Sequence, residues 1–207
     1  MRDRVMTGLS LLFSVYSPLY LVDAFVLRAL ARRDKLMLLA LTCLLFLSLG
    51  LFGRGGLFVF SLSLFGYVAL QDLWTRLAKR YYSYGSVTAY PIHPALRHQV
   101  TRLTGYRPKG TRLYEIHIDP QLLQRVTNGV QAGVMVLHDA KRFTTKLRDQ
   151  ETSVSVIGTT YEARLAQTAT FGARKNLKET VHKSGTCPLG SKILYPKKQW
   201  DTFVWDI

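Results

Sequence analysis

Cysteine is nearly absent from this 207-residue chain: there are two, Cys43 inside an apolar run and Cys187 in a polar half. Thiols so few and so placed exclude a disulfide framework, and neither has a Cys or His neighbour at zinc-ligand spacing. Cys187 stands in GTCPLG with no base near it in sequence, so it reads as a turn residue rather than a nucleophile. A phosphate-cradling loop is also missing: GRGG lies between hydrophobic runs, and Gly158-Thr-Thr lacks the residues that complete a P-loop. Histidines do not cluster. His93 and His98 are separated across a proline and do not share a helical face, and His117 stands alone on an expected strand. His138-Asp139 has the order that orients an imidazole, yet no nucleophile can be assigned to it. No catalytic residue, metal site or cofactor is therefore read from the sequence, and an enzyme is not expected.

Acidic residues are scarce as well, 13 against 28 Lys and Arg, which gives a formal charge of +15. Both halves share the excess: ten basic against four acidic residues up to Tyr82, and eighteen against nine from Ser83 onward. Such a balance fits nucleic acid, anionic lipid or retention on the cytoplasmic side of a membrane.

Apolar residues, by contrast, are concentrated in three charge-free runs, Val5–Val22, Leu36–Phe52 and Leu57–Leu70. About 17–25 apolar residues are needed to cross a bilayer. The second run meets that length, and the third meets it when extended to Trp74 with Asp72 at the interface. The first contains Pro18 and either spans or lies at the interface. It ends in SPLYLVDAFVLRAL, without the small residues of a cleavage site, so it is expected to be retained. Asp23, just after it, reads as an interfacial residue with Arg28 nearby, or as an intramembrane acid.

Lys and Arg favour the cytoplasmic side. Arg28, Arg32, Arg33 and Lys35 follow the first run and Arg76, Lys79 and Arg80 follow the third, whereas Gly53, Arg54, Gly55 and Gly56 separate the second and third. The expected architecture is a membrane-anchored α+β or α/β protein. Residues 1–82 form a helical hairpin of two apolar helices, three if the first run spans, turned outside at GRGG. Residues 83–207 form a small, basic, mixed α/β domain in the cytosol, and the whole is a multi-pass protein of an inner or plasma membrane.

Within the polar half, Arg112–Asp119 alternates as a strand and PQLLQRVTNG reads as a short helix after Pro120. Gly133–Leu137 reads as a buried strand, although GVMVLHDAKRF also fits one helix. Asp139–Arg148 reads as a basic helix, Thr152–Ile157 as a strand closed by Gly158, and Tyr161–Gln167 and Ala173–His182 as helical. The end, SKILYPKKQWDTFVWDI, reads as strand, turn and strand, packed through Trp200, Phe203 and Trp205. Arg97, Arg102, Arg107 and Lys109 lie among aromatics, and Arg174, Lys175, Lys178 and Lys183 form a second basic group; together they are the candidate patch for lipid or a protein partner. Nucleic acid is the less favoured partner.

Arg112, the Thr152–Ser155 stretch and Glu179 loosely resemble the Arg, Ser-Thr-Ser and Glu order of ADP-ribosyltransferases. TSVS departs from Ser-Thr-Ser, and Leu177 stands where that family has a second acid or Gln. The layout of the whole chain, an apolar first third turned at GRGG and a basic domain after it, is similar to the inner-membrane entry-exclusion proteins of I-type conjugative plasmids. That resemblance implies a non-catalytic interaction protein that blocks redundant transfer by recognising part of the transfer apparatus.

Overall fold

In the computed structural model, residues 2–22, 24–25, 28, 35–118, 129–150 and 153–207 are described. Asp23, Arg32, Arg33, Thr152 and the expected helix PQLLQRVTNG fall outside them, wholly or nearly so.

The first element, α1 (Arg2–Phe13), belongs to the folded body. Its buried positions Met6, Ser10 and Phe13 follow helical spacing, so this part of the apolar run packs against the fold. Ser10 Oγ accepts the backbone N–H of His93 at 2.8 Å, and Ser14 Oγ donates to Glu115 at 2.6 Å. Next come α2 (Lys35–Phe52) and the long α3 (Arg54–Tyr82), joined through Gly53 at φ 62°. At Gly56 the two helices approach so closely that a Cβ would overlap the Ser48 carbonyl.

A six-stranded sheet follows, built from β1 (Ser83–Tyr84), β2 (Val87–Ile92), β3 (Arg112–Ile118), β4 (Val154–Thr160), β5 (Glu179–Ser184) and β6 (Asp201–Asp206). Its order is β1-β2-β3-β4-β6-β5, with β3 and β4 parallel and every other pair antiparallel. Helix α4 (Arg97–Thr104) leads into β3, and α5 (Gly129–Gln150) lies between the parallel strands in the chain. Helices α6 (Ala163–Ala173) and α7 (Leu189–Leu194) complete the chain.

The sheet buries both faces. Tyr114, Ile116, Val156 and Trp205 pack with Phe143 of α5 and Ala169 of α6 on one side. Leu113, Ile157 and Val204 pack with Tyr16 and with Val100 of α4 on the other. A third cluster ties α1 to α3 and β2 through Met6, Phe13, Trp74, Ala78 and Tyr90.

The expected hairpin of two or three apolar membrane helices is not what the chain forms. Among the described residues one helix, Phe58–Tyr82, is long and apolar enough to cross a membrane, and Thr42–Phe52 is a shorter apolar helix. The run Val5–Val22 supplies α1 and a turn, and the dominant architecture is the α/β sheet.

Four further readings are corrected. Gly133–Leu137 is helical, because Val136, Ala140, Phe143 and Leu147 repeat at helical spacing and are all buried, while Val130 and Val134 face out. Ala173–His182 is not one helix: a 3₁₀ turn at Arg174–Asn176 precedes β5, which the C-terminal strand recruits by pairing Glu179–Ser184 with Asp201–Asp206. SKIL lies in α7 rather than in a strand. Gly158 continues β4 instead of closing it, and the Phe203 ring occupies the space of a Cβ there.

Candidate functional site

Strand alternation puts Leu113, Glu115 and His117 on one face of β3 and Tyr114, Ile116 and Ile118 on the other. Glu115 is only 1% exposed and has no Lys or Arg partner among the described residues. Its Oε2 accepts from Ser14 Oγ at 2.6 Å, and its Oε1 lies 2.5 Å from His117 Nε2. The His117 side chain is 44% exposed, with its ring 4.9 Å from that of Tyr90. When the carboxylate accepts the Nε2–H, Nδ1 remains as an acceptor for water or a ligand.

Both residues line a cleft of about 360 Å³ at the carboxyl ends of the parallel strands β3 and β4. Open α/β sheets place ligand sites there, because loops diverge beyond the strand ends. Tyr16, held by a 2.6 Å hydrogen bond between its hydroxyl and Thr159 Oγ1, supports the wall. Burial, and then the charge of Glu115, push the Tyr16 phenol well above its ordinary pKa, so it remains a neutral hydrogen-bonding group. The rim is aromatic: Tyr161 meets Trp200 edge-on at 5.2 Å and Tyr195 at 5.7 Å, and Lys198 Nζ stands 4.9 Å above the Tyr161 ring.

A second polar cluster lies at the opposite end of these strands. Buried Asp206 accepts from Ser155 Oγ and, at 2.5 Å, from the Tyr106 hydroxyl, while Ser155 Oγ accepts Gly110 N–H at 2.7 Å. Lys109 Nζ pairs with Glu179 at 2.5 Å. Lys109 holds the Glu179 carboxyl below the usual carboxylate range, whereas burial and the hydrogen bond to Asp206 raise the Tyr106 phenol far above its own. This cluster fixes the C-terminus and the loop before β3.

The candidate patch residues divide. Arg97 donates to the Gly110 carbonyl at 2.5 Å, Lys109 is committed to Glu179, and Lys178 donates to the Ile207 carbonyl at 3.1 Å. Arg174 and Lys178 line a groove of about 530 Å³ with Phe171, Glu179 and His182, whereas Arg102, Arg107, Lys175 and Lys183 are exposed outside the cavities described. Of the residues resembling the ADP-ribosyltransferase order, Ser155 and Glu179 share the C-terminal cluster, and Arg112 lines a different groove with Asp3 and His93. A basic groove of about 780 Å³ that the sequence left ungrouped joins Lys141, Arg142 and Lys146 of α5 to Ser83 and Tyr84. In it Lys146 Nζ stands 5.1 Å from the Tyr84 ring centre.

Asp139 has a structural duty: its Oδ2 accepts both the N–H and the hydroxyl of Ser86 at 2.7 Å, with exposed His138 at 3.6 Å from its other oxygen. Gly53, Gly55 and Gly56 sit at the α2–α3 junction with Arg54 opening α3. Arg76 pairs with Asp72 at 2.8 Å one turn away on α3, while Lys79 and Arg80 occupy its last turn. Arg28 is described in a helical position and Lys35 opens α2. Both cysteines are free thiols. No group of three or more metal-ligating side chains forms among the described residues.

Sequence reading missed Glu115 and isolated His117. The available signal was the Glu-x-His spacing within an alternating strand, which places both side chains on one face. Family models, curated proteins and solved structures were compared with this chain, and none matches it.

Proposed function

We propose that the chain is a non-catalytic, membrane-anchored interaction protein whose α/β domain binds another protein at the cytoplasmic face of a membrane. The observation that carries this reading is α3, a single 29-residue helix that runs from an uncovered apolar stretch into the domain core. Phe58, Leu62 and Phe65 are 71%, 59% and 73% exposed, whereas Trp74 and Ala78 further along are buried. A helix that is apolar all round and lacks protein cover is stable in lipid and costly in water. At ~1.5 Å per residue α3 is about 43 Å long, enough for a ~30 Å hydrocarbon core with the rest inside the fold. Arg76, Lys79 and Arg80 follow the apolar stretch, and this excess supports the cytoplasmic side for the domain. The layout shared with entry-exclusion proteins of I-type plasmids supplies the partner class, a component of a conjugative transfer apparatus. Crosslinking from the domain in intact cells, with partners identified by mass, tests this: one recurrent protein partner supports it, and recovery of lipid alone contradicts it.

The basic groove of Lys141, Arg142 and Lys146 beside Tyr84 favours a second reading, a membrane-tethered nucleic-acid binder. That reading requires DNA or RNA affinity falling steeply with salt. Weak binding with little salt dependence removes it.

A further inference from the structure

We infer that the cleft at the carboxyl ends of β3 and β4 binds an organic cation, an alkylammonium group carrying apolar surface.

The wall supplies the charge. Glu115 has about four acceptor positions as a carboxylate, and Ser14 and His117 occupy two. Glu162 stands exposed at the rim, and no Lys or Arg belongs to the lining among the described residues. In a chain with 28 Lys and Arg and a charge of +15, the cleft lining holds two acids and neither Lys nor Arg among the described residues, with Lys198 outside it at the rim over Tyr161, so the inner wall at Glu115 is electrostatically complementary to a cation. The remaining lining is apolar or aromatic, including Val15, Leu165 and Trp200. Lys198 occupies one face of Tyr161 at the rim, which leaves the Glu115 wall to receive a second cation. The ammonium would hydrogen-bond or pair with Glu115 while its alkyl chain lies against these walls. A free alkylamine and an ethanolamine lipid headgroup offer the same group.

Position makes the lipid source accessible. Ser14, bonded to Glu115, follows directly on Phe13, whose ring lies 5.1 Å from that of Tyr67 in the apolar stretch of α3. Leu19, Val22, Leu189 and Tyr195 are exposed, with Leu189 adjacent to Gly190 against Tyr20 of the cleft. His117 of the cleft lies 4.9 Å from the Tyr90 ring, which packs at 4.5 Å on Trp74 of α3, so the cleft is two aromatic rings from that helix. This lipid route rests on the anchoring proposed above, whereas binding of a soluble amine does not.

The test uses the full chain in non-ionic detergent, titrated with hexylammonium and, separately, with hexanol and hexyl sulfate, reading the His117 ring signals by NMR. Saturable perturbation by hexylammonium alone is expected, with affinity reduced at least tenfold in Glu115→Gln and severalfold in the exposed Glu162→Gln. Equal responses to all three probes, or none to hexylammonium, would overturn the inference even if Glu115→Gln fails to fold. In a second arm, the chain in vesicles of phosphatidylcholine with or without phosphatidylethanolamine is read in the same way. A response to the ethanolamine lipid supports the lipid source; a response to free amine without one supports a soluble source and upholds the site. Failure of the chain to enter vesicles, with hexylammonium binding intact in detergent, would count against the anchor and uphold the cleft.

Discussion

Gly85 shows how a single residue fixes the entrance to the sheet. Its φ of 68° lies in the left-handed region, and a Cβ there would overlap the Asp139 carboxylate. Gly85→Ala is expected to lose at least ~1–2 kcal/mol of stability from backbone strain alone, measured by urea unfolding. Asp139→Ala leaves Ser86 without the acceptor for its buried N–H, a loss of about 1–3 kcal/mol. A functional defect in that variant is therefore to be interpreted only beside its unfolding midpoint. The Glu179 carboxyl titrates below its unfolded value because Lys109 favours the charged form. Its stabilisation is present above the ordinary carboxylate pKa and is lost as pH falls through the depressed folded value. Glu179→Gln should flatten acid unfolding in that window, and an unchanged acid profile would contradict the assignment.

At the scale of elements, α3 and β6 carry different loads. Replacing Leu62 by Arg places a charge in the uncovered part of α3, at a cost of about 3 kcal/mol for a helix centred in lipid. The Leu62→Arg chain should partition into liposomes roughly a hundredfold less well, seen by flotation, while its domain still folds. Strand β6 is paired on both sides, by β4 and β5, and Trp205 is fully buried with Phe203 stacked on it at 4.9 Å. Trp205→Ala should cost ~3–5 kcal/mol, and removal of residues 202–207 should abolish the cooperative thermal transition.

What was legible in the sequence follows the same division. Strand β3 was visible because alternation over RLYEIHI is a local signal, and the packed C-terminus because Phe203 and Trp205 share a strand face. Strand β5 was not, since Glu179–Ser184 extends only through pairing with β6, a partner some twenty residues away in sequence. Run Val5–Val22 misled for a related reason: hydropathy does not register that Ser14 bonds to Glu115 of β3 and Ser10 to His93 just after β2. Within the candidate site, the Glu-x-His pair was open to inspection, but its cleft depends on Val15, Thr159 and Trp200, brought together only by the tertiary fold.

For the molecule as a whole, α3 joins an uncovered apolar stretch to a basic α/β domain as one unbroken helix. The far part of α3 packs through Trp74 and Ala78 with α1 and β2, while its apolar side chains Phe58, Leu62 and Phe65 are exposed. The direct measurement is limited proteolysis of the wild-type chain reconstituted into liposomes and washed at alkaline pH. Retention in the floated fraction, with a protected fragment covering Phe58–Leu73 and cleavage confined to segments outside it, is the predicted result. Release of the chain by the wash, or cleavage within Phe58–Leu73 as rapid as in detergent, would contradict it.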